Sequence, residues 1–410
     1  MTAAATVPAP GIDLILGADS ISAPLTGIGR YAFELARGLP QHPALARVRY
    51  FSLGRWAELA PLLQADAATT EQAQARTLRS VLAGNRAAVQ AFRLLMPTLQ
   101  RLRLRSEQGA IYHSPNFFLP PFPGRTVTTV HDLSHHIYPQ FHPAARVDYM
   151  QRMLPASLAR ASHVITVSES ARHDLITHFG HPPERITAIP LGANPAFRPH
   201  SAAELAPVLA RLGLPNLSAQ GYSLYVGTIE PRKNIDRLLD AYEALPEALR
   251  RHCPLVMAGS PGWRSEHTHA RMARAASAGW LHYLRYVPQA DLPALYAGAR
   301  LFAYPSLYEG FGLPVLEAMA SGTPVVTSNV SSLPEVVGSA ALLIDPHDTD
   351  ALRAALAQGL QDEAWRQQAR AAGLARAAQF SWGQCVNATV QVYAQLSAPA
   401  STPANPPARA

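Results

Sequence analysis

The sequence predicts an α/β protein of two domains, each built on a parallel sheet. Three observations carry this. Apolar runs of four to seven residues recur along the chain, separated by stretches of helical period, which is the rhythm of repeated βα units. The chain has 410 residues and 48% of them are hydrophobic, which suits two packed cores at roughly 100–200 residues per domain. Between the two sets of runs lies Pro190–Gln220, containing Pro190, Pro195, Pro199 and Pro215, and it reads as the linker.

Taken in order, the first half places strands at Ile12–Ala18, Val48–Leu53, Ala110–His113, Thr126–Val130, His163–Val167 and Ile186–Ile189. The second half places them at Ser223–Val226, Pro254–Ala258, Leu281–Arg285, Leu301–Tyr304, Pro324–Thr327 and Ala341–Ile344. The expected domains are residues 1–200 and 201–381. A last helix over 382–397 is expected to cross back onto the first domain, and the Pro/Ala/Ser-rich tail 398–410 to be disordered.

Composition narrows the class. Two cysteines, Cys253 and Cys385, cannot build a disulfide framework or a Cys-rich zinc site. No run approaches the ~18–20 apolar residues of a membrane span, and Met1–Gly11 lacks a signal peptide's basic start and apolar core. The expectation is a soluble, cytoplasmic protein. Its net charge of +7 is local, because residues 72–106 hold seven arginines (Arg76, Arg79, Arg86, Arg93, Arg101, Arg103 and Arg105) and no acidic residue. Taking those seven from 35 leaves 28 basic groups against 28 acidic ones. A basic amphipathic segment suits an anionic membrane surface, and an arginine-laced surface helix fits equally. Nucleic acid is set aside, since no nucleic-acid motif accompanies the patch.

Two loops carry the chemistry. The strand Leu301–Tyr304 runs into Pro305–Gly312, with Glu309, Gly310, Phe311 and Gly312, and then into a helix opened by Leu313-Pro314. The free N–H groups and positive end of such a helix form an anion site that glycines let a ligand approach. Glu317, one helical turn further, can face the same crevice. After the strand Ser223–Val226 comes Gly227-Thr-Ile-Glu-Pro-Arg-Lys-Asn234. Lys233 is the one lysine in a chain that otherwise uses arginine. Arg232 and Lys233 at a helix start oppose the helix dipole, so they need an anionic partner. They suit a departing diphosphate, a guanidinium fork beside an ammonium point charge.

Together these stretches resemble the retaining GT-B glycosyltransferases of family 4. Glu309-x7-Glu317 around Gly-Phe-Gly-Leu-Pro is similar to their Glu-x7-Glu motif, and Gly227–Asn234 to their donor-phosphate motif. The likeness runs from Gly27-Ile-Gly-Arg-Tyr to Ser332-Leu-Pro-Glu335, and its wording resembles bacterial mannosyltransferases of O-antigen and exopolysaccharide assembly. The resemblance implies two Rossmann-like domains facing each other across a cleft. It implies transfer of a hexose, mannose from GDP-mannose foremost, to a saccharide or lipid-linked saccharide at the inner face of the cytoplasmic membrane. It gives His131, Glu309, Arg232 and Lys233 catalytic positions. Donor binding falls to Gly27, Gly29, Gly227, Gly259, Val287, Gly310, Phe311, Gly312, Leu313 and Glu317, with Glu317 on the ribose hydroxyls.

Other features stay subordinate. His135, His136 and Tyr138 are expected on the acceptor side, and the histidine cluster with His142 is not read as a metal site, since Pro139 and Pro143 break the segment. Asp348-Thr-Asp350 is read as a helix cap, so no divalent ion is expected to be required and no other cofactor is implied. Ser168 and Ser170 face the cleft but suit helix capping. Two competing readings remain: a nucleotide-sugar 2-epimerase of the same architecture, and a catalytically silent, membrane-docked member of a glycan assembly complex.

Overall fold

The protein is described by a computed structural model covering residues 11–23, 25–64, 86–215, 217 and 221–398, with 86–94 as backbone path only. The expected disordered tail, and Arg76 and Arg79 of the basic segment, lie outside the described residues, apart from Ala398. The first sheet contains β1 (Ile12–Gly17), β2 (Leu45–Ser52), β3 (Arg55–Ala57), β4 (Ile111–Ser114), β5 (Arg125–Val130), β6 (His163–Thr166) and β7 (Ile186–Ala188). The second contains β8 (Ser223–Val226), β9 (Leu255–Ala258), β10 (Leu281–Arg285), β11 (Leu301–Tyr304), β12 (Val325–Ser328) and β13 (Ala341–Ile344). These are the two parallel-sheet domains that the apolar runs predict.

Strand order is β3-β2-β1-β4-β5-β6-β7 in one sheet and β10-β9-β8-β11-β12-β13 in the other. Every pairing is parallel except β2 with β3. In each sheet the order reverses once, between β1 and β4 and between β8 and β11. Ligands of open α/β sheets bind at that switch point, off the carboxyl ends of the strands. The loops carrying Lys233 and Glu309 leave β8 and β11, so chain order alone brings them together.

Two expectations need correction. The antiparallel edge strand β3 is not foreseen, because its hairpin turns at Leu53-Gly54 with φ of 50° and 77°. A leucine at positive φ gives no turn signal, unlike Asn-Gly. The supposed linker Pro190–Gln220 contains a helix, Ala202–Arg211. It buries Leu205 and Leu209, and Arg211 pairs with Asp291 at 2.5 Å. The Ser201–Glu204 capping box starts it.

The helix Trp382–Ser397 packs on the first domain, against the helix Gly27–Gly38 and β1. Its Tyr393 hydroxyl meets His113 Nδ1 at 2.5 Å, and His113 Nε2 meets Thr129 Oγ1 at 2.8 Å. The outgoing and returning crossings touch, since a Cβ on Gly192 would lie 2.2 Å from Trp382 N. Asp348 caps its helix through Ala351 N at 2.8 Å. Among the described residues no helix is long and apolar enough to cross a membrane.

Candidate active site

The loop after β8 turns tightly at Pro231–Lys233, and Asn234 takes the left-handed conformation at φ 58°. Its side-chain amide donates to the carbonyls of Pro305 (3.0 Å) and Pro346 (2.8 Å), fixing the turn to the loops after β11 and β13. The loop after β11 is pinned as well. Leu307 N donates to Arg232 O at 2.9 Å, and Ser332 Oγ donates to the carbonyls of Glu309 (2.9 Å) and Phe311 (2.8 Å).

Between them lies a buried charge cluster. Lys233 Nζ donates to Glu309 Oε1 and to the Tyr304 hydroxyl, both at 2.6 Å. Arg232 reaches Glu309 Oε2 at 3.0 Å, the Tyr308 carbonyl at 2.6 Å and Glu230 Oε1 at 2.8 Å. The Lys233 and Arg232 side chains are only 9% and 13% exposed. They are therefore not two solvated cations at a helix start. Burial opposes ionisation of Glu309, but Lys233 and Arg232 outweigh it and hold the carboxyl down to about 2. Burial, reinforced by Arg232, lowers Lys233 below the ordinary lysine range, and Glu309 offsets part of that. Two cations balanced by two carboxylates form a preorganised neutral cluster, whose cations can turn toward an incoming anion without fresh desolvation.

The glycines open the crevice. Gly259 has φ 154°, and a Cβ there would lie 1.9 Å from Gly227 O, while one on Gly227 would lie 2.9 Å from the Tyr225 hydroxyl, so both strand ends must stay bare. Gly312, at φ 108°, starts the helix Leu313–Ala320. Phe311 is buried against Phe380, so its backbone but not its ring is available to a donor. Leu313 is half-buried at the helix start, and Val287 is buried beside exposed Tyr286. Burial pushes the Glu317 carboxyl up to about 7, with Tyr296 and Arg30 opposing. Arg30 comes from the first domain, within Gly27-Ile-Gly-Arg30, and the sequence reading overlooks it although it adjoins the two singled-out glycines. A Cβ on Gly29 would lie 2.9 Å from Ser20 O, whereas Gly27 faces open space.

Across the cleft stands a buried neutral ring. His131, 7% exposed, donates from Nε2 to Pro115 O at 2.8 Å and stands edge-on to Tyr31. Burial lowers its pKa, with its hydrogen bond to Pro115 and the charge of Asp132 opposing. His131 O lies against the opposite loop, 2.0 Å from where a Cβ on Gly310 would stand. The structure thus brings His131, Glu309, Arg232 and Lys233 to one place. The three residues expected on the acceptor side separate. Tyr138 packs on Tyr308, His135 is buried against Phe117, and His136 turns outward onto His178 and Phe179 at the far end of its neighbouring helix. Beside His131 a cavity of about 570 Å³ is lined by Asp19, Ser20, Pro115, Phe118, Met96 and Arg152, among others. Among the described residues no group of three or more His, Cys, Asp or Glu side chains could hold a metal.

Comparison with known proteins fits this geometry. A family model described as glycosyl transferases group 1 matches residues 215–376, and one described as glycosyltransferase family 4 matches 25–197. The chain is 44% identical over 383 residues to O-antigen chain mannosyltransferase B of Escherichia coli, covering 93% of this chain and 100% of that protein. It is 32% identical over 281 residues to serotype-specific mannosyltransferase WbdA of Escherichia coli, across 67% of this chain and 34% of that longer protein. Sucrose-phosphate synthase from Thermosynechococcus elongatus superposes with a TM-score of 0.67 at 23% identity, covering 94% of this chain and 99% of that one. WaaG, a glycosyltransferase involved in lipopolysaccharide biosynthesis, gives 0.68 at 18% identity over 92% and 99%. At those identities the solved structures speak to the fold, which is GT-B. Matched in both halves and along 93% of its length by a mannosyltransferase, the chain belongs to the group 1 glycosyltransferases, with a family 4 amino-terminal half.

Proposed function

We propose that the chain transfers mannose from GDP-mannose to a saccharide or lipid-linked saccharide in cell-surface polysaccharide synthesis, with retention at the anomeric carbon. The observation that carries this is the buried Arg232–Lys233 pair braced by Glu309 at the switch point of the second sheet. The mannosyl part of the reading rests on the relative 44% identical along the chain.

In this reading residues 201–381 hold the nucleotide sugar, and residues 1–200 with the returning helix 382–397 hold the acceptor. The bond from the anomeric carbon to the diphosphate breaks, and negative charge grows on the leaving oxygen. Arg232 and Lys233 stabilise that charge, and the helix start after Gly312 adds backbone N–H groups. The acceptor hydroxyl attacks from the face the diphosphate leaves and passes its proton to a departing phosphate oxygen, so configuration is kept. His131 and Glu309 flank the sugar, and Glu317 takes the ribose. The buried cation pair supplies the charge a divalent ion would otherwise supply, so donor binding should not need one.

We place the protein at the inner face of the cytoplasmic membrane. Arg101, Arg103 and Arg105 are exposed at the end of the helix Arg86–Leu104, alongside Leu95 and Leu102 at 69% and 57% exposure. Basic and apolar groups on one exposed helix suit anionic lipid.

Thermal unfolding with GDP, UDP and ADP, each with EDTA and with Mg²⁺, tests the donor. A ligand at ~100 times its Kd stabilises by about 2.7 kcal/mol, a shift of several degrees. A GDP-selective shift that survives EDTA is expected. A UDP-selective shift would keep the transferase and overturn the donor. No shift with any nucleotide would favour a silent docking module.

A further inference from the structure

The helix Glu169–Phe179 of the first domain and its cap receive three contacts from the second domain, one from the donor-side Gly310 and two, from Glu335 and Tyr308, that have no assigned role in donor or acceptor binding. Ser168 caps this helix, accepting from Ala171 N at 3.0 Å, and its hydroxyl also donates to Gly310 O at 2.6 Å. Glu335 accepts from the backbone N–H groups of Glu169 (3.1 Å) and Ser170 (3.2 Å). Tyr308 crosses the cleft to donate to Asp174 Oδ2 at 2.6 Å, and the same hydroxyl accepts from Leu133 N at 3.3 Å.

The third contact stands out for its place in the chain. Tyr308 immediately precedes Glu309, and its carbonyl accepts from Arg232 at 2.6 Å. On the other side, Leu133 lies two residues after His131. The Tyr308 hydroxyl therefore ties the segment that bears the buried ion pair to the segment that bears His131. The ring is 5% exposed and packs on Tyr138 of the first domain. A phenol bonded to a carboxylate is a charge-assisted hydrogen bond, roughly twice as strong as a neutral one.

We propose that Tyr308 is a positioning residue for transfer. Through Asp174 and Leu133 it bolts the Glu309–Gly310 segment against His131 and so sets how often the cleft is shut when the donor bond breaks. The proposal rests on the glycosyl-transfer reading above. Its predicted signature is a loss of turnover without a loss of donor affinity, because Tyr308 touches protein on both sides of the cleft and no donor-binding residue through its hydroxyl. A loosened bolt also admits water, so a larger share of GDP-mannose should hydrolyse instead of reaching an acceptor.

The experiment uses the full chain with GDP-mannose, and octyl α-mannoside as an acceptor probe. GDP release is followed with and without that probe. Tyr308→Phe should lower kcat for transfer about tenfold, the worth of one charge-assisted hydrogen bond, while KM for GDP-mannose stays within about twofold. Asp174→Ala should match it, and the double variant should be no worse than either single one. Asp174→Asn keeps an acceptor oxygen and should recover most of the rate. The hydrolysed fraction should rise in Tyr308→Phe and Asp174→Ala and fall back in Asp174→Asn. Unchanged kcat and hydrolysed fraction in a folded Tyr308→Phe, with only its melting temperature lowered, would overturn the proposal.

Small-angle scattering, with and without GDP, keeps the bolt testable apart from catalysis. Tyr308→Phe should have a larger radius of gyration than the parent. If the parent releases no GDP from GDP-mannose, the functional reading fails and scattering alone decides the bolt. If the parent turns over and Tyr308→Phe equals it in rate and size, the bolt fails and the function stands.

Discussion

The two faces of the cleft solve the same burial problem in opposite ways. The second domain buries full charges and balances them, Lys233 and Arg232 against Glu309 and Glu230. The first domain centres on buried polar groups that stay uncharged, His113, Thr129, Tyr31 and His131, chained by hydrogen bonds and ring contacts, with single charges such as Asp132 and Asp174 beside them. In the proposed reading, a face that must meet a diphosphate keeps its cations ready inside a neutral cluster. In the same reading, a face that meets sugar hydroxyls is shaped by neutral donors, aromatic rings and an open cavity with few charges.

The comparison is broken most directly at Lys233. Lys233→Ala leaves Arg232 as the one cation paired with Glu309, and turnover of GDP-mannose should fall about 100-fold, the usual loss when a preorganised electrostatic group is removed. Glu309→Ala should lower turnover by at least an order of magnitude and also destabilise the fold, because it strips the shared anion from two buried cations. Steady-state kinetics beside a melting curve separates the two variants. Near-normal activity in either folded variant would sink the assignment.

Acid should separate the faces next. Burial, with the nearby His131 adding to it, pushes His113 down to about 3, so the folded state keeps this ring neutral while the unfolded chain protonates it near 6.5. Stability from that neutral ring is complete above pH 6.5 and drains as pH falls toward 3. The slope is ~1.4 kcal/mol per pH unit, or about 2 kcal/mol by pH 5. Glu309 loses its contribution in the same direction but in a more acidic window. Its pKa is depressed to about 2, so its contribution is present above the ordinary carboxylate range and fades only as pH drops toward 2. Acid melts followed by hydrogen exchange should show protection lost around β4 and β5 before β8 and β11. His113→Asn should flatten the decline between pH 6.5 and 5, and simultaneous loss in both sheets would refute the contrast.

The smallest effect concerns the outer surface. Replacing Arg101, Arg103 and Arg105 with glutamine should weaken binding to phosphatidylglycerol vesicles by about 1 kcal/mol per residue and leave turnover of GDP-mannose unchanged. Equal sedimentation of parent and variant with vesicles would return the segment to an ordinary arginine-rich surface helix.

The charged face was largely legible from sequence, and the neutral one was not. Lys233 and Glu309 sit in short Gly-rich loops after apolar runs, where strand, turn and helix signals coincide within a few residues. The partners across the cleft depend on how two domains meet. Nothing near Asp174 or Glu335 in sequence marks them as contacts of Tyr308 or of the helix starting at Glu169. His135, His136 and Tyr138 read as a group because they are close in sequence, but a helical turn points neighbouring side chains in different directions, and of the three Tyr138 packs on Tyr308 of the Glu309 segment. The helix Ala202–Arg211 carried a readable capping signal at Ser201 and Glu204, which the surrounding prolines masked.

The returning helix has a consequence for synthesis. Tyr393 supplies one of the two hydrogen bonds of buried His113, and the helix bearing Cys385, Val390 and Tyr393 packs on the helix bearing Tyr31 and Leu35, all of them buried. A chain emerging from the ribosome can assemble β1 through β7 early, but that half keeps an open apolar flank until the helix Trp382–Ser397 has been translated. Of these two domains, the one made earlier is thus finished later. During that interval it depends on whatever shields unfinished surfaces in the cell.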